Sequence, residues 1–140
     1  MSKINVGRVV AGGIVAGIVI NIFEDVLNGV LLSSHWAPIM QSMNLSMPGT
    51  NAIVAFNIDG LILGLAAVWT YAAIRPRFGA GFMTAVYAAL QVWAVGYALP
   101  NLTNHFLGFV PMYMTLVVIV VGLIEIVVAT VAGAFFYQET

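Results

Sequence analysis

Four of the five acidic side chains of this 140-residue chain, Glu24, Asp25, Asp59 and Glu125, lie inside long apolar stretches, with no Lys, Arg or His at comparable positions. Carboxyl groups so placed can take up protons, hold a cation or work as an acid–base pair. Each costs roughly 2.5–3.5 kcal/mol at the centre of a bilayer if left ionised, so all four cannot stay charged and unpaired. Amides accompany them. Asn21 and Asn28 share a helical face with Glu24, Asn57 precedes Asp59 by two residues, and Gln91 stands in the third apolar stretch. These eight residues are the candidate ligand- or ion-binding set, although hydrogen bonding between packed helices accounts for the four amides equally well. No catalytic residue is assigned, because the chain offers no nucleophile–base pairing, metal-ligand spacing or phosphate-binding loop. A slighter constellation, His35, His105, Met40 and Met43, carries the soft donors that suit copper(I). Loop histidines and interfacial methionines explain the same residues without a metal.

The elements that must position these groups follow from the hydropathy. The chain is 62% hydrophobic and 6% charged, against about a quarter charged in soluble domains. Its surface is therefore made for lipid. Four apolar segments, at about 9–32, 52–74, 79–99 and 111–137, each reach the roughly 20 residues needed to span a bilayer. Turn chemistry at Met47-Pro48-Gly49-Thr50, Arg75-Pro76-Arg77-Phe78-Gly79 and Leu99-Pro100-Asn101 separates them. Pro111 suits a first helical turn. The expected fold is all-α: an integral membrane, antiparallel four-helix bundle in one domain, residues 1–140. The first apolar run is too long for a cleaved signal peptide, so it is expected to stay as a helix. In the 33–51 loop, Trp36, Ile39, Met40, Met43 and Met47 recur at spacings of three and four, which predicts a short helix lying in the interface.

Lys3, Arg8, Arg75 and Arg77 are the only basic residues, and all fall on one side of this arrangement. The positive-inside bias then puts both termini in the cytoplasm. Trp36, Trp69, Tyr71, Tyr113 and Tyr137 lie near helix ends, as interfacial aromatics do. Each helix carries one small-and-polar stripe. These are Gly13, Gly17, Asn21, Glu24 and Asn28; Asn57, Gly60, Gly64, Ala67 and Tyr71; Thr84, Tyr87, Gln91, Ala94 and Ala98; and Thr115, Val118, Gly122, Glu125, Ala129 and Ala132. Because lipid is as apolar as leucine, such stripes should meet in the bundle centre. Glu24, Asp59, Gln91 and Glu125 then fall at similar heights, forming one polar site between midplane and outer leaflet.

A net charge of −1 without a basic patch excludes a nucleic-acid partner, and the absence of cysteine excludes disulfides, thiol catalysis and iron–sulfur clusters. Gly7-Arg8-Val9-Val10-Ala11-Gly12-Gly13, the run from Asn21 to Gly29, and Tyr71-Ala72-Ala73-Ile74-Arg75-Pro76-Arg77-Phe78-Gly79-Ala80-Gly81 resemble stretches of small bacterial four-helix inner-membrane proteins. That resemblance implies a location in the inner membrane and brings no activity with it. The functional expectation is a non-enzymatic protein of the lipid bilayer that binds a cation or small ligand, or serves as a subunit of a larger membrane assembly. The alternative is a proton- or cation-coupled transporter or channel component acting as a homo-oligomer. A membrane enzyme using paired carboxylates ranks third, and no particular cofactor is indicated.

Overall fold

Asn5 opens the first helix, its side chain accepting the backbone N–H of Arg8 at 3.1 Å. This cap satisfies a donor that a helix start leaves unpaired, so α1 (Val6–Val26) begins before the continuous apolar run does. In the computed structural model, which describes residues 3–138, α1 passes into a π-helical turn at Leu27–Leu31 and then into α2 (Ser33–Ser42). There follow α3 (Thr50–Phe78), α4 (Phe82–Trp93), a second π-helical turn at Ala94–Ala98, α5 (Leu99–Phe106) and α6 (Met112–Phe135). Among the described residues there is no strand. Because α4, its π-turn and α5 run on as one rod, four helical stretches are long and apolar enough to cross a membrane: Val6–Leu31, Thr50–Phe78, Phe82–Phe106 and Met112–Phe135. The short helix expected in the 33–51 loop is α2.

The boundaries depart from expectation at Pro76, Pro100 and Pro111. At Pro76 the missing N–H removes a single bond near the helix end, and α3 continues to Phe78. Gly79, at φ 85°, then stops it, its N–H on the Arg75 carbonyl at 2.8 Å. At Pro100 the third span does not break either. The N–H of Leu99 reaches back to the Ala94 carbonyl, the longer bond of a π-turn. This widened turn makes room for the proline ring, and Asn101 Nδ2 adds a bond to the Tyr97 carbonyl at 2.9 Å. Asn104 and His105, expected in a loop, are therefore helical. Pro111 sits at the N-cap of α6 rather than in its first turn.

Backbone proximity holds the bundle together. A Cβ added to Gly64 would lie 2.3 Å from the Gly17 nitrogen and 2.5 Å from the Gly13 oxygen, while one on Gly17 would lie 2.7 Å from Leu61 Cα. The spans of α1 and α3 thus run antiparallel with their main chains nearly touching. On another side of α1, a Cβ on Gly12 would lie 2.4 Å from the Gly133 carbonyl oxygen of α6. Such closeness brings many atoms into dispersion contact where long side chains would hold the helices apart. Ala16, Ile20, Val68, Ala129 and Ile126 fill the centre, and Ala85, Ala88 and Ala89 bring α4 against it. Outward faces are apolar: Val10, Ile14, Ile18 and Ile22 on α1, and Leu116, Val120 and Ile124 on α6, are all exposed.

The stripes proposed for the first, second and fourth spans are the packed ones. The third is not. Thr84 is buried, but Tyr87 and Gln91 are exposed, and the packed face runs through Ala85, Ala88 and Ala89 to Tyr97. Within α4 the packed face is centred on Ala85, Ala88 and Ala89, so Tyr87 and Gln91 fall to one side of it. The π-turn then rotates everything beyond it by about 100°, which brings Tyr97 onto the packed face. Two expected interfacial aromatics also turn inward. Tyr71 and Tyr137 are buried with their rings edge to face at 6.0 Å, and the Arg75 guanidinium lies 5.4 Å above the Tyr137 ring.

Gly64→Ala should destabilise the protein by about 1–3 kcal/mol, the usual cost of overpacking. Gly29→Ala, where the added Cβ meets nothing within 4 Å, should leave the thermal unfolding midpoint in detergent micelles almost unchanged. Equal losses from the two variants would contradict the packing described.

Candidate functional site

The end of the bundle that carries α2 holds the polar side chains. Glu24 stands in the last turn of α1, just before one π-turn, and Tyr97 stands within the other. Glu125 projects from the middle of α6, fully buried. The Tyr97 hydroxyl lies 2.8 Å from Glu24 Oε1 and 2.6 Å from Glu125 Oε1, so one phenol joins two carboxyl groups from two other helices. Room for its ring is made on α6: a Cβ on Gly122 would lie 2.5 Å from Tyr97 Cδ1. Glu125 follows one turn later on the same face, which is why ring and carboxyl meet.

The network continues outward. Asn28 Nδ2 donates to Glu24 Oε2, and Trp36 Nε1 of α2 donates to Asn28 Oδ1 at 3.0 Å. Indole nitrogen is only a donor, so Trp36 fixes which end of the Asn28 amide faces Glu24. The first π-turn contains Asn28 and lets the chain bend into α2, bringing Trp36 back over it. At the inner end of the chain of bonds, Glu125 Oε2 is buried without a hydrogen-bond partner among the described residues.

Beside this network opens a cavity of about 690 Å³, within the range typical of small-ligand sites. Where α1 and α3 are pinned by their glycines they touch; beyond Gly60 they part, and α2 with Met47 and Pro48 covers the gap. The walls are largely apolar, with Ile20, Trp36, Met40, Phe56 and Leu63 among them. Glu24, Asp25 and Asp59 supply its charge-bearing groups, and no Lys, Arg or His lines it. Asp25 and Asp59 are exposed, whereas Glu24 is half-buried.

The eight residues singled out from the sequence therefore separate. Glu24 and Glu125 meet at Tyr97. Asp25 and Asp59 share the cavity with Glu24 but make none of its hydrogen bonds. Asn28 orients Glu24. Asn21 and Asn57 line the cavity as well: Asn21 Nδ2 ties α1 to α3 by donating to the Asn57 carbonyl at 3.0 Å, while Asn57 Nδ2 donates to the Ile53 carbonyl within α3 at 2.9 Å. Gln91 lies apart, exposed along a separate cleft with Ala66, Thr70 and Val95, to one side of the alanine face by which α4 packs. The expected single site drawn from Glu24, Asp59, Gln91 and Glu125 thus loses Gln91 and gains Tyr97. Sequence reading passed over Tyr97, whose only signal was a phenol three residues before a proline.

His35 packs edge-on against Tyr113 at 5.9 Å, His105 Nδ1 lies 2.9 Å from the Val110 carbonyl, and Met40 lines the cavity. None of these contacts joins two of the proposed soft-metal donors His35, His105, Met40 and Met43. Among the described residues no group of three His, Cys, Asp or Glu side chains is placed to hold a metal ion. In comparisons with known proteins, no family model, curated protein or solved structure matches the chain.

Tyr97→Phe removes the hydroxyl that both glutamates use and should cost about 1–3 kcal/mol of stability. Gly122→Ala should move in the same direction by displacing the ring, while Trp36→Phe, which removes one bond at the periphery, should cost about 1 kcal/mol or less. Thermal unfolding of the three purified variants checks the order; a Tyr97→Phe protein as stable as the parent would contradict the bridging role.

Proposed function

We propose that the chain is an integral protein of the inner membrane and that its cavity binds a small organic cation with an apolar body, without performing chemistry on it. Four long apolar helices with outward Val, Ile, Leu and Phe side chains support the membrane assignment. Arg8 at the start of α1 and Arg75 and Arg77 at the end of α3 lie at one end of the bundle, as the antiparallel packing of the two helices requires. With Lys3 nearby in sequence, that end is the cytoplasmic one, so the termini are cytoplasmic and the cavity opens in the outer half.

The observation that carries the reading is the lining of the cavity: three carboxyl groups, an apolar wall with Trp36 and Phe56, and no basic side chain. A hydrated metal ion would waste the apolar wall, and an anion would meet three acids. A lipophilic amine or quaternary ammonium uses both parts, its body displacing water from apolar surface and its charge meeting the carboxylates. In a medium of low dielectric constant such pairing is stronger than in water. The protein as a subunit of a larger membrane assembly, or as a homo-oligomer, is compatible with the same cavity, since no partner is needed to line it.

The test is binding to the purified protein in lipid nanodiscs, using tetraphenylphosphonium and the similarly shaped anion tetraphenylborate. The cation should bind and the anion should not. Asp59→Asn and Glu24→Gln should each weaken the cation by about tenfold, equal to about 1.4 kcal/mol. Equal binding of the two probes, or cation binding indifferent to Glu24→Gln, Asp25→Asn and Asp59→Asn alike, would overturn the reading.

A further inference from the structure

The contacts around Tyr97 set a proton count. A phenol carries one hydrogen and accepts through its lone pairs. Two carboxyl oxygens, at 2.8 Å and 2.6 Å, surround that one hydroxyl. Two hydrogen bonds need two hydrogens; Tyr97 supplies one, so a glutamate must supply the other. With both glutamates ionised, two negative charges would crowd one buried donor, which is the arrangement that like charges in a shared site avoid.

Which glutamate carries the hydrogen follows from the rest of the network. Trp36 donates to Asn28 Oδ1, leaving Asn28 Nδ2 to donate to Glu24 Oε2. Glu24 must therefore accept at that oxygen, and it accepts Tyr97 at the other. Two donors on two oxygens are what a carboxylate requires. Glu125 is fully buried, and among the described residues its Oε2 has no hydrogen-bond partner and its Oε1 has the phenol oxygen. A neutral acid is far cheaper to bury there than an ion.

We propose that Glu24, Tyr97 and Glu125 form a proton-binding site in which Glu125 is the acid and Glu24 the carboxylate, and that a cation entering the cavity beside Glu24 expels this proton. The second half rests on the cation-binding reading. The transfer balances as a relay. The Glu125 Oε1 hydrogen passes to the Tyr97 oxygen as the Tyr97 hydrogen passes to Glu24 Oε1, and Glu24 then releases a proton to the cavity. The Tyr97 hydroxyl then turns its hydrogen to Glu125, now a carboxylate, the cation takes its place beside Glu24, and one positive charge has replaced another. The net charge of the site is the same before and after the exchange. The titratable groups facing this relay are Asp25 from α1 and Asp59 from α3, across the cavity. The lining contributed by α2 holds no titratable side chain, its His35 being turned to Tyr113.

Infrared spectroscopy of the protein labelled with glutamate carrying 13C in its side-chain carboxyl tests both halves. Only Glu24, Glu125 and Glu139 then report, and the aspartates stay silent. At neutral pH an isotope-shifted protonated-carboxyl band should appear in the parent chain, persist in Glu24→Gln and vanish in Glu125→Gln. Absence of the band from the parent chain overturns the proton site without recourse to any variant, as does its persistence in Glu125→Gln. Saturating tetraphenylphosphonium should then remove the band, with about one proton released per bound cation in weakly buffered solution. Binding with the band intact overturns the coupling alone. Failure of the probe to bind overturns the cation-binding reading, and with it the coupling, while the band still decides the proton site.

Discussion

A carboxyl group placed in the middle of a helix bundle must find a hydrogen-bond partner inside it, and here two of them find the same one. The Tyr97 hydroxyl lies within 2.8 Å of a glutamate oxygen on each side. That contact ties α1 to the third span and the third span to α6, which Trp93 Nε1 of α4 also joins by donating to the Ile119 carbonyl at 2.9 Å. Much of the local irregularity serves it. Gly122 leaves space for the ring, and the π-turn at Ala94–Ala98 turns Tyr97 inward, as π-turns near functional groups commonly do. Asn28 and Trp36 then hold Glu24 in the orientation that receives the phenol.

The glycine contacts and the cavity are two consequences of one geometry. Where Gly13 and Gly17 meet Gly64, the helices stand as close as main chains allow. Close approach at one level of two crossing helices implies divergence at another, and Asn21 over Gly60 marks the transition: a Cβ on Gly60 would lie 1.9 Å from Asn21 Oδ1. Past that level the gap is wide enough for a ligand, and its exposed wall carries Asp25 and Asp59. The tight half supplies rigidity and the open half supplies the site. α2 contributes to both, since Trp36 orients the buried network and also lines the opening.

Much of this was legible in the residues. Four apolar runs of spanning length could only be helices, and Gly13, Gly17, Gly60 and Gly64 marked the contact of two of them through their spacing. Glu24 shared a face with Asn21 and Asn28, and the structure keeps all three on the side of α1 that meets its neighbours. What failed was the third span. Periodicity carried forward from Thr84 at 3.6 residues per turn leads to Gln91 and Ala98, and a proline at position 100 reads as a stop. An inserted residue breaks the first inference and relieves the second, and nothing in Ala94-Val95-Gly96-Tyr97-Ala98 announces a π-turn. Tyr97 was invisible for that reason. Gln91, which precedes the π-turn, was placed inside because the stripe was drawn through Thr84 and Tyr87, whereas α4 packs through Ala85, Ala88 and Ala89. Tyr137 was read as interfacial because it stands near a helix end, where side-chain direction decides between surface and core and residue type does not; Tyr71, read the same way, also stood on the stripe that packs.

The bridging role of Tyr97 is tested most directly by a double-mutant cycle on unfolding free energy, made from Tyr97→Phe, Glu125→Gln and the double variant. Residues in direct contact are non-additive by about 0.5–3 kcal/mol, whereas independent sites add to within about 0.3–0.5 kcal/mol. The structure predicts a coupling of about 1 kcal/mol or more between these two positions. Additivity within about 0.5 kcal/mol would contradict it, showing that the phenol and the buried carboxyl do not share a hydrogen bond.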